Sequence, residues 1–197
     1  MELLLSFQHV AKMDNTRPQL PDINFNIKKN EIYGLVVSDN SLGLMIIKLA
    51  LGWTNSSAGK IVFNGHLMSA FFSGIDGLYS QLTAYENLLY ENQIHLRGRN
   101  SDAIIQGFLE LGELENDRDS LVSTYNVGMR KRLSILRSLL ATPDLLILEH
   151  PFENIDSESQ LVICKLLEEV STYSTIMIVS QADRTLQSLC TQIINIE

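Results

Sequence analysis

Residues 31–52 read EIYGLVVSDNSLGLMIIKLALG, and this stretch decides the fold. Its first part, Ile32 to Val37, is apolar and rich in β-branched residues, which predicts a buried strand. The polar segment Ser38 to Ser41 predicts a tight turn. The segment Leu44 to Leu51 is apolar nearly all round and is followed by Gly52, which predicts a buried helix. A strand, a tight loop and a buried helix are the setting of a phosphate-binding loop, where backbone N–H groups face an anion.

The residues that grip a phosphate are missing from this setting. A phosphate-binding loop reads G-x-x-x-x-G-K-[ST], in which the Lys contacts the β- and γ-phosphates and the hydroxyl binds Mg²⁺. In register with the strand, Val37 and Leu42 take the two Gly positions. Gly43 takes the Lys position and Leu44 takes the hydroxyl position. The sequence therefore predicts the architecture of a nucleotide site without its cation and its metal-binding hydroxyl.

The composition fits one soluble globular protein. The chain has 197 residues, of which 45% are hydrophobic and 19% charged. Its net charge of −8 argues against a nucleic-acid partner. Cys164 and Cys190 have no metal-ligand spacing and suit a reducing compartment, with core packing as their expected role. Because no apolar run is long enough to span a bilayer and the start lacks a signal-peptide layout, we expect no direct membrane insertion.

The first thirty residues predict an antiparallel β part. Apolar residues alternate on either side of a polar stretch with Pro18 and Pro21, which predicts two short strands around a loop. The alternating residues are Leu3, Leu5 and Phe7, then Ile23, Phe25 and Ile27. A third strand is expected over 61–63, between the turn signals Gly59 and Asn64-Gly65.

Residues 80–122 predict a helical insertion. Thr83 and Glu86 form a capping box that opens a helix, and a second amphipathic helix follows over 104–111. An acidic, polar connector then occupies 112–122. We expect the α/β core to comprise residues 1–79 and 123–197, with this insertion as a helical subdomain of the same single domain.

The remainder of the chain alternates strands and helices. At this spacing the alternation predicts a mostly parallel sheet with helices on both faces. The expected helices are 129–140, 159–170 and 184–190, and the expected strands are 145–148, 175–179 and 193–196.

With these elements in register, the whole chain resembles the ATP-binding subunit of an ABC transporter. It is most similar to the group that serves antimicrobial-peptide or lantibiotic export and self-immunity. Six segments resemble the family's motifs in chain order. They are EIYGLVV before the Walker A loop, LTAYENL at 82–88, YNVGMRKRLSI at 125–135 for the signature, LLILEHP at 145–151 for Walker B, NID at 154–156 for the D-loop, and IVSQ at 178–181 for the switch strand. The resemblance implies an α/β fold with a P-loop NTPase-like ABC ATPase core.

The resemblance places a nucleotide site on residues that mostly depart from the family's motifs. Its nucleotide-binding positions are held by Met13, Val37, Ser38, Asp39, Asn40, Ser41, Leu42, Gly43, Leu44 and Met45. Its signature positions are held by Asn126, Val127, Gly128 and Met129. Glu149 replaces the Walker B Asp and keeps one carboxylate for Mg²⁺. His150 stands at the general-base position, Gln181 at the switch-His position, and Gly74 near the Q-loop position.

The resemblance implies a peptide export or immunity subunit whose own ATP hydrolysis is weak or lost. Phosphoryl transfer depends on positioning and charge stabilisation, which the missing Lys, hydroxyl and base would supply. ATP and Mg²⁺ are the implied cofactors, held weakly. The implied partners are membrane-spanning transporter subunits and a second ATPase chain, identical or competent, so the protein is expected in the cytoplasm, at the inner membrane face through those partners. Two other functions stay open: a non-hydrolytic scaffold subunit of a peptide-processing complex, and an ATPase with compensating residues.

Several residues have a structural alternative to a functional role. Asp39-Asn40 either holds a ligand or, more commonly for this pair, makes a turn. His150 acts as a base or merely packs at a strand end. The basic cluster Arg130-Lys131-Arg132 either contacts an acidic partner or nucleotide or, as the better-supported interpretation, forms a solvated helix face. The apolar stripe from Leu82 to Leu96 either docks a membrane partner or forms subdomain core.

Overall fold

A three-stranded and a five-stranded sheet organise the part of the chain that this computed structural model describes, residues 2–14, 17–74, 77–95 and 101–196. The strands are β1 (Leu3–Asp14), β2 (Arg17–Lys28), β3 (Ile32–Val37), β4 (Ala58–Phe63), β5 (Ser69–Ser73), β6 (Leu145–Glu149), β7 (Thr175–Ser180) and β8 (Gln192–Ile196). The helices are α1 (Asn40–Ala50), α2 (Ala84–His95), α3 (Ser101–Leu111), α4 (Val127–Leu139), α5 (Ser157–Val170) and α6 (Arg184–Leu189), with short 3₁₀ turns at Glu115–Asp117 and Val122–Thr124.

The five-stranded sheet is parallel throughout and has the order β5-β6-β7-β3-β8. Its central strands β3, β6 and β7 are buried on both faces, which explains their continuous apolar sequences. In β6, Leu145 and Ile147 face the core that contains α1, whereas Leu146 and Leu148 face the core that contains α4 and α5. The predicted parallel sheet is confirmed, and its strands all end at one edge.

The N-terminal sheet is antiparallel with the order β2-β1-β4, as predicted, but its first two strands are longer than expected. The expected loop around Pro18 and Pro21 is wrong, because both prolines lie within β2. β2 is an edge strand, where a residue without a backbone N–H is tolerated. Residues 15–16, between β1 and β2, lie outside the described residues.

The region expected to be a helical subdomain contains α2 and α3. The Thr83–Glu86 capping box is present: the Thr83 backbone N–H donates to the Glu86 carboxylate at 2.8 Å, and the Glu86 N–H donates to the Thr83 hydroxyl at 3.1 Å. Leu88, Ile105 and Leu109 are fully buried in the core that also contains α4. Residues 96–100, including the end of the apolar stripe, lie outside the described part.

Two elements differ from the predictions in ways that matter for the site. Helix α1 begins at Asn40, four residues before the predicted start, so Asn40 and Ser41 are helical and not part of a turn. The segment 69–73, for which no element was predicted, forms the edge strand β5 beside β6. Because of the first difference, the N-terminus of α1 lies closer to the end of β3 than predicted. Because of the second, β5 adds a further strand end beside that of β6.

Candidate functional site

The carboxyl ends of β3, β6 and β7 bring three predicted site segments to one edge of the sheet. A pocket of about 240 Å³ there is lined by residues that include Asn40, His150, Ser180 and Gln181. Ligands of open parallel sheets bind at this edge, beyond the carboxyl ends of the strands. The structure therefore brings together the positions resembling a phosphate-binding loop, a general base and a switch residue.

The N-terminus of α1 is capped by the side-chain carboxylate of Asp39. Only Ser38 and Asp39 separate the end of β3 from the start of α1. Asp39 Oδ1 accepts the backbone N–H of Leu42 at 3.0 Å, and the Asp39 carbonyl accepts the N–H of Gly43 at 3.3 Å. The Ser41 hydroxyl also donates to this carboxylate. These donors, Ser41 first, lower the pKa of Asp39, so the helix cap is negatively charged at neutral pH.

The residue at the Lys position faces the protein interior. A Cβ atom added at Gly43 would lie 3.0 Å from Val179 Cγ1 and 3.3 Å from Val37 Cγ2. Leu44, at the hydroxyl position, is half-buried and apolar, as is Met45, which packs against the same core. Positions 43 and 44 accordingly offer neither a cation nor a hydroxyl.

His150 is held by backbone and side-chain contacts. Its φ of 47° is in the left-handed region, and its backbone N–H donates to the Val179 carbonyl at 3.1 Å. Its Nδ1 lies 3.1 Å from Ser180 Oγ, a hydrogen bond whose donor depends on the tautomer. Ser180 was not among the predicted site residues, since a single Ser at a strand end carries no sequence signal.

Glu149 faces a second pocket, beside β5. The Ser73 hydroxyl donates to Glu149 Oε2 at 2.9 Å. Gly74, with a φ of 72°, and Lys131 line this pocket of about 320 Å³. Across the described ranges 2–14, 17–74, 77–95 and 101–196, no three His, Cys, Asp or Glu side chains cluster as metal ligands. Glu149 thus has a neutral hydroxyl partner, and Glu153 is a second carboxylate residue in the lining of this pocket.

The positions that resemble the signature form the start of α4. Asn126 is the N-cap residue, and its side-chain oxygen accepts the Met129 backbone N–H at 2.8 Å. Val127 is 40% exposed at the helix start. Gly128 is buried against Ser159 of α5, where a Cβ atom would clash. The matching glycine therefore has a packing role, whatever else it contacts.

Met13 and Ser38 do not line the pocket that contains Asn40 and His150. Met13 is 41% exposed near the end of β1 in the other sheet, where its N–H donates to Ser57 Oγ at 3.0 Å. Ser38 and Gln181 together line a further pocket of about 360 Å³ at the ends of β3 and β8. Gln181 thus borders two pockets.

The interpretation of residues 130–132 as a solvated basic face is wrong. Arg130 Nε donates to the Tyr125 carbonyl at 2.9 Å, and Arg132 donates to the Gly112 carbonyl at 2.8 Å. Lys131 is only 7% exposed, and its Nζ donates to carbonyls of the turn that follows β6. These side chains cap backbone carbonyls within the chain, a use that their sequence cannot reveal.

A comparison of the sequence with models of protein families identifies the family of this chain. A family model described as "ABC transporter" matches residues 20–153. This chain belongs to the ABC transporter family. The resemblance to an ABC ATP-binding subunit is thereby confirmed.

Curated relatives of this ABC transporter chain are ATP-binding proteins. It is 27% identical over 197 residues to the Nod factor export ATP-binding protein I of Rhizobium meliloti (strain 1021), covering 92% of this chain and 59% of that protein. It is 29% identical over 169 residues to the bacitracin transport ATP-binding protein BcrA of Bacillus licheniformis, covering 79% of this chain and 54% of that protein. The chain therefore spans less than two thirds of the length of these relatives.

Solved structures show the same ABC fold. An ATP-binding cassette of an ABC transporter in its ADP conformation superposes with a TM-score of 0.81 at 15% identity, covering all of this chain and 88% of that one. A nucleotide-free ATP-binding cassette gives 0.82 at 14% identity, covering 98% and 87%. This likeness confirms the predicted P-loop NTPase-like fold with its antiparallel N-terminal part. Within the described residues, no helix combines the length and apolarity needed to cross a bilayer.

Proposed function

We propose that this chain is a catalytically degenerate ATP-binding-type subunit of an ABC exporter, with weak or absent ATP hydrolysis of its own. The observation that carries the proposal is the Asp39 carboxylate at the N-terminus of α1. In a working loop, backbone N–H groups at this position face the phosphates of the nucleotide. Here the Leu42 N–H already donates to Asp39.

The charge of Asp39 opposes a triphosphate at the same place. Its pKa is lowered by the Ser41 hydroxyl and the Leu42 N–H, so it stays ionised at neutral pH. A phosphate brought to the start of α1 would meet a like charge at short range. It would also have to displace the helix cap before it could accept the N–H groups.

The compensating cation is also missing from the start of α1. Gly43 packs against Val37 and Val179, and the basic residue in the last turn of the helix is Lys48. Lys48 lies roughly 7.5 Å further along the helix axis than residue 43, at 1.5 Å per residue. It is therefore not placed to do what the Lys of a working loop does.

The groups for hydrolysis are equally altered. His150 Nδ1 is hydrogen-bonded to the Ser180 hydroxyl. Glu149 accepts the Ser73 hydroxyl, and residue 44 is a leucine with no hydroxyl for a shared metal ion. Removing one charge-stabilising contact costs an enzyme about 10²–10³ in rate. Loss of several contacts supports hydrolysis far below that of an intact ATPase, and the residues present do not fit tight Mg²⁺–ATP binding.

The proposed assembly rests on the family and on the names of the relatives. Those names specify Nod factor export and bacitracin transport, which supports an exporter and, for the second, an antimicrobial cargo. We propose membrane-spanning subunits and a second ATPase chain, identical or competent, as partners at the cytoplasmic membrane face. The chain would act as one ABC ATPase-like domain, with residues 1–79 and 123–197 as core and about 80–122 as helical subdomain.

Titration of the purified chain with fluorescent ATP and Mg²⁺ tests the nucleotide part of the proposal. We expect no saturable binding below millimolar nucleotide and phosphate release equal to the protein-free blank. Asp39→Asn is the matched variant, because an amide keeps the helix cap and removes its charge. It should bind the nucleotide more tightly than the wild type.

Rapid phosphate release by the wild type would contradict degeneracy and favour the ATPase with compensating residues. Equal affinity of the wild type and Asp39→Asn would contradict the role of the Asp39 charge. Co-purification from the native cell tests the assembly separately. Recovery with membrane-spanning subunits supports an exporter, whereas recovery with peptide-processing enzymes alone supports a scaffold subunit.

A further inference from the structure

The turn that follows β6 directs three backbone carbonyls at one point. The carbonyl oxygens of His150, Pro151 and Glu153 lie 2.9, 3.3 and 2.6 Å from Lys131 Nζ. Lys131 lies on α4, the helix that precedes β6 in the chain, and the residue is 7% exposed. An ammonium group has three donors, and here each has a carbonyl acceptor.

Backbone carbonyl dipoles accept the three hydrogen bonds that Lys131 Nζ makes with this turn. Burial lowers the pKa of Lys131, and the Glu153 carboxylate opposes this shift. Glu153 is exposed, and the contact that it makes with Nζ is through its main-chain oxygen. Carbonyl oxygens converging on one positive charge are the arrangement by which proteins hold unhydrated monovalent cations.

The backbone at both ends of this turn is left-handed. His150 has a φ value of 47°, and Asn154, directly after the turn, has a φ value of 58°. In this conformation three carbonyls of the turn point at Lys131 Nζ. Without a cation, those oxygens would repel one another and lose their hydrogen-bond donors.

We propose that the His150–Glu153 turn is a binding site for a monovalent cation of ammonium size, which the Lys131 side chain fills permanently. The tethered ammonium holds the turn in its left-handed form and fixes α4 to the end of β6. Lys131 is therefore a positioning residue for His150 and for the start of α4. This proposal does not depend on nucleotide binding or on the exporter role.

Replacement of Lys131 by Met tests the site, because Met keeps most of the apolar stem and removes the charge. Lys131→Met should unfold at lower urea concentration than the wild type in tetramethylammonium chloride, whose cation is too large for the vacated space. The amide protons of His150 and Glu153 should exchange at least about tenfold faster, as expected for loss of hydrogen bonds to a charged group. Ammonium chloride or potassium chloride at the same ionic strength should restore both properties.

Lys165→Met is the matched control, since the Lys165 side chain is 72% exposed beside Glu113. The control and the wild type should show the same stability in all three chlorides. The proposal is overturned if Lys131→Met is equally stable in the three salts, or if ammonium stabilises the control as much. Should Lys131→Met not fold in tetramethylammonium chloride, refolding yield from urea becomes the measurement, and an equal yield in all three salts overturns the site.

Discussion

Gly128 of α4 packs so closely on Ser159 of α5 that a Cβ atom added to the glycine would lie 2.5 Å from Ser159 Cβ. Even a methyl group therefore requires the two helices to separate. We expect Gly128→Ala to lower the free energy of unfolding by about 1–3 kcal/mol, the usual cost of overpacking a core. Urea unfolding followed by circular dichroism measures it.

Two further variants show whether this loss comes from the Ser159 contact. Gly128→Ala combined with Ser159→Gly should regain part of the stability, whereas the combination with Ser159→Ala removes the clashing hydroxyl oxygen but keeps the clashing Cβ atom and should regain less. Gly107 in α3 has nothing within 4 Å of its Cβ position, so Gly107→Ala should stabilise by about 0.4–1 kcal/mol. Equal losses at both glycines would show that helix packing is not the cause.

Restoring the Lys of a phosphate-binding loop at Gly43 should not by itself restore nucleotide binding. The added Cβ atom would lie 3.0 Å from Val179 Cγ1, and the Asp39 cap would remain in place. Gly43→Lys should destabilise the protein by about 1–3 kcal/mol, measured by urea unfolding, and leave the fluorescent ATP titration flat.

The informative comparison adds Asp39→Gly to Gly43→Lys, which removes the competing carboxylate. Nucleotide affinity should rise in this double variant above that of either single variant. If Gly43→Lys alone binds ATP as tightly as the double variant, the Asp39 cap is not an obstacle.

The parallel strands could be predicted from the sequence because burial on both faces leaves continuous apolar runs. Thr175–Val179 and Leu145–Leu148 each lie within one residue of the observed strand at either end. The strand Ser69–Ser73 was missed because an edge strand of five residues, with a Ser at each end, has too little pattern. Sequence periodicity is thus most informative at the centre of the sheet.

The start of α1 could not be predicted because Asp-Asn-Ser has two physical meanings. A short polar side chain that accepts a backbone N–H favours a turn, and the same hydrogen bond caps a helix. The structure uses Asp39 as a helix cap. The carbonyl partners of Lys131 could not be predicted from the sequence either. Glu153 lies 22 residues from Lys131, and only the folded chain brings the two together.

Lowering the pH should reduce the free energy of unfolding, partly because two helix-capping carboxylates become protonated. The pKa of Asp39 is lowered by Ser41 and Leu42, and that of Asp156 by the backbone N–H of Ser159 and then its hydroxyl. Because the folded state favours the ionised form, their stabilisation is complete above the unfolded pKa of about 3.9 and is lost as pH falls through the lower folded values.

Urea unfolding midpoints between about pH 6 and pH 3 measure this loss. The double variant Asp39→Asn, Asp156→Asn keeps cap acceptors without titrating, so its midpoint should fall less steeply over this range. An unchanged slope in the double variant would assign the acid sensitivity to other carboxylates.

The two thiols should be unreactive in the folded protein. Burial raises the pKa of Cys190 to about 12, with a smaller contribution from Cys164, and burial also raises the pKa of Cys164. The thiolate is the nucleophile, so at pH ~8 Cys190 should react with an aromatic disulfide reagent on the order of 10³-fold more slowly than an exposed cysteine. For both thiols the rate of reaction should therefore be much higher in urea than in native buffer. In the Cys164→Ser variant only Cys190 can react, and Cys190 packs against Gly34 of β3. A rapid reaction of this variant in native buffer would show that α6 opens readily away from the sheet.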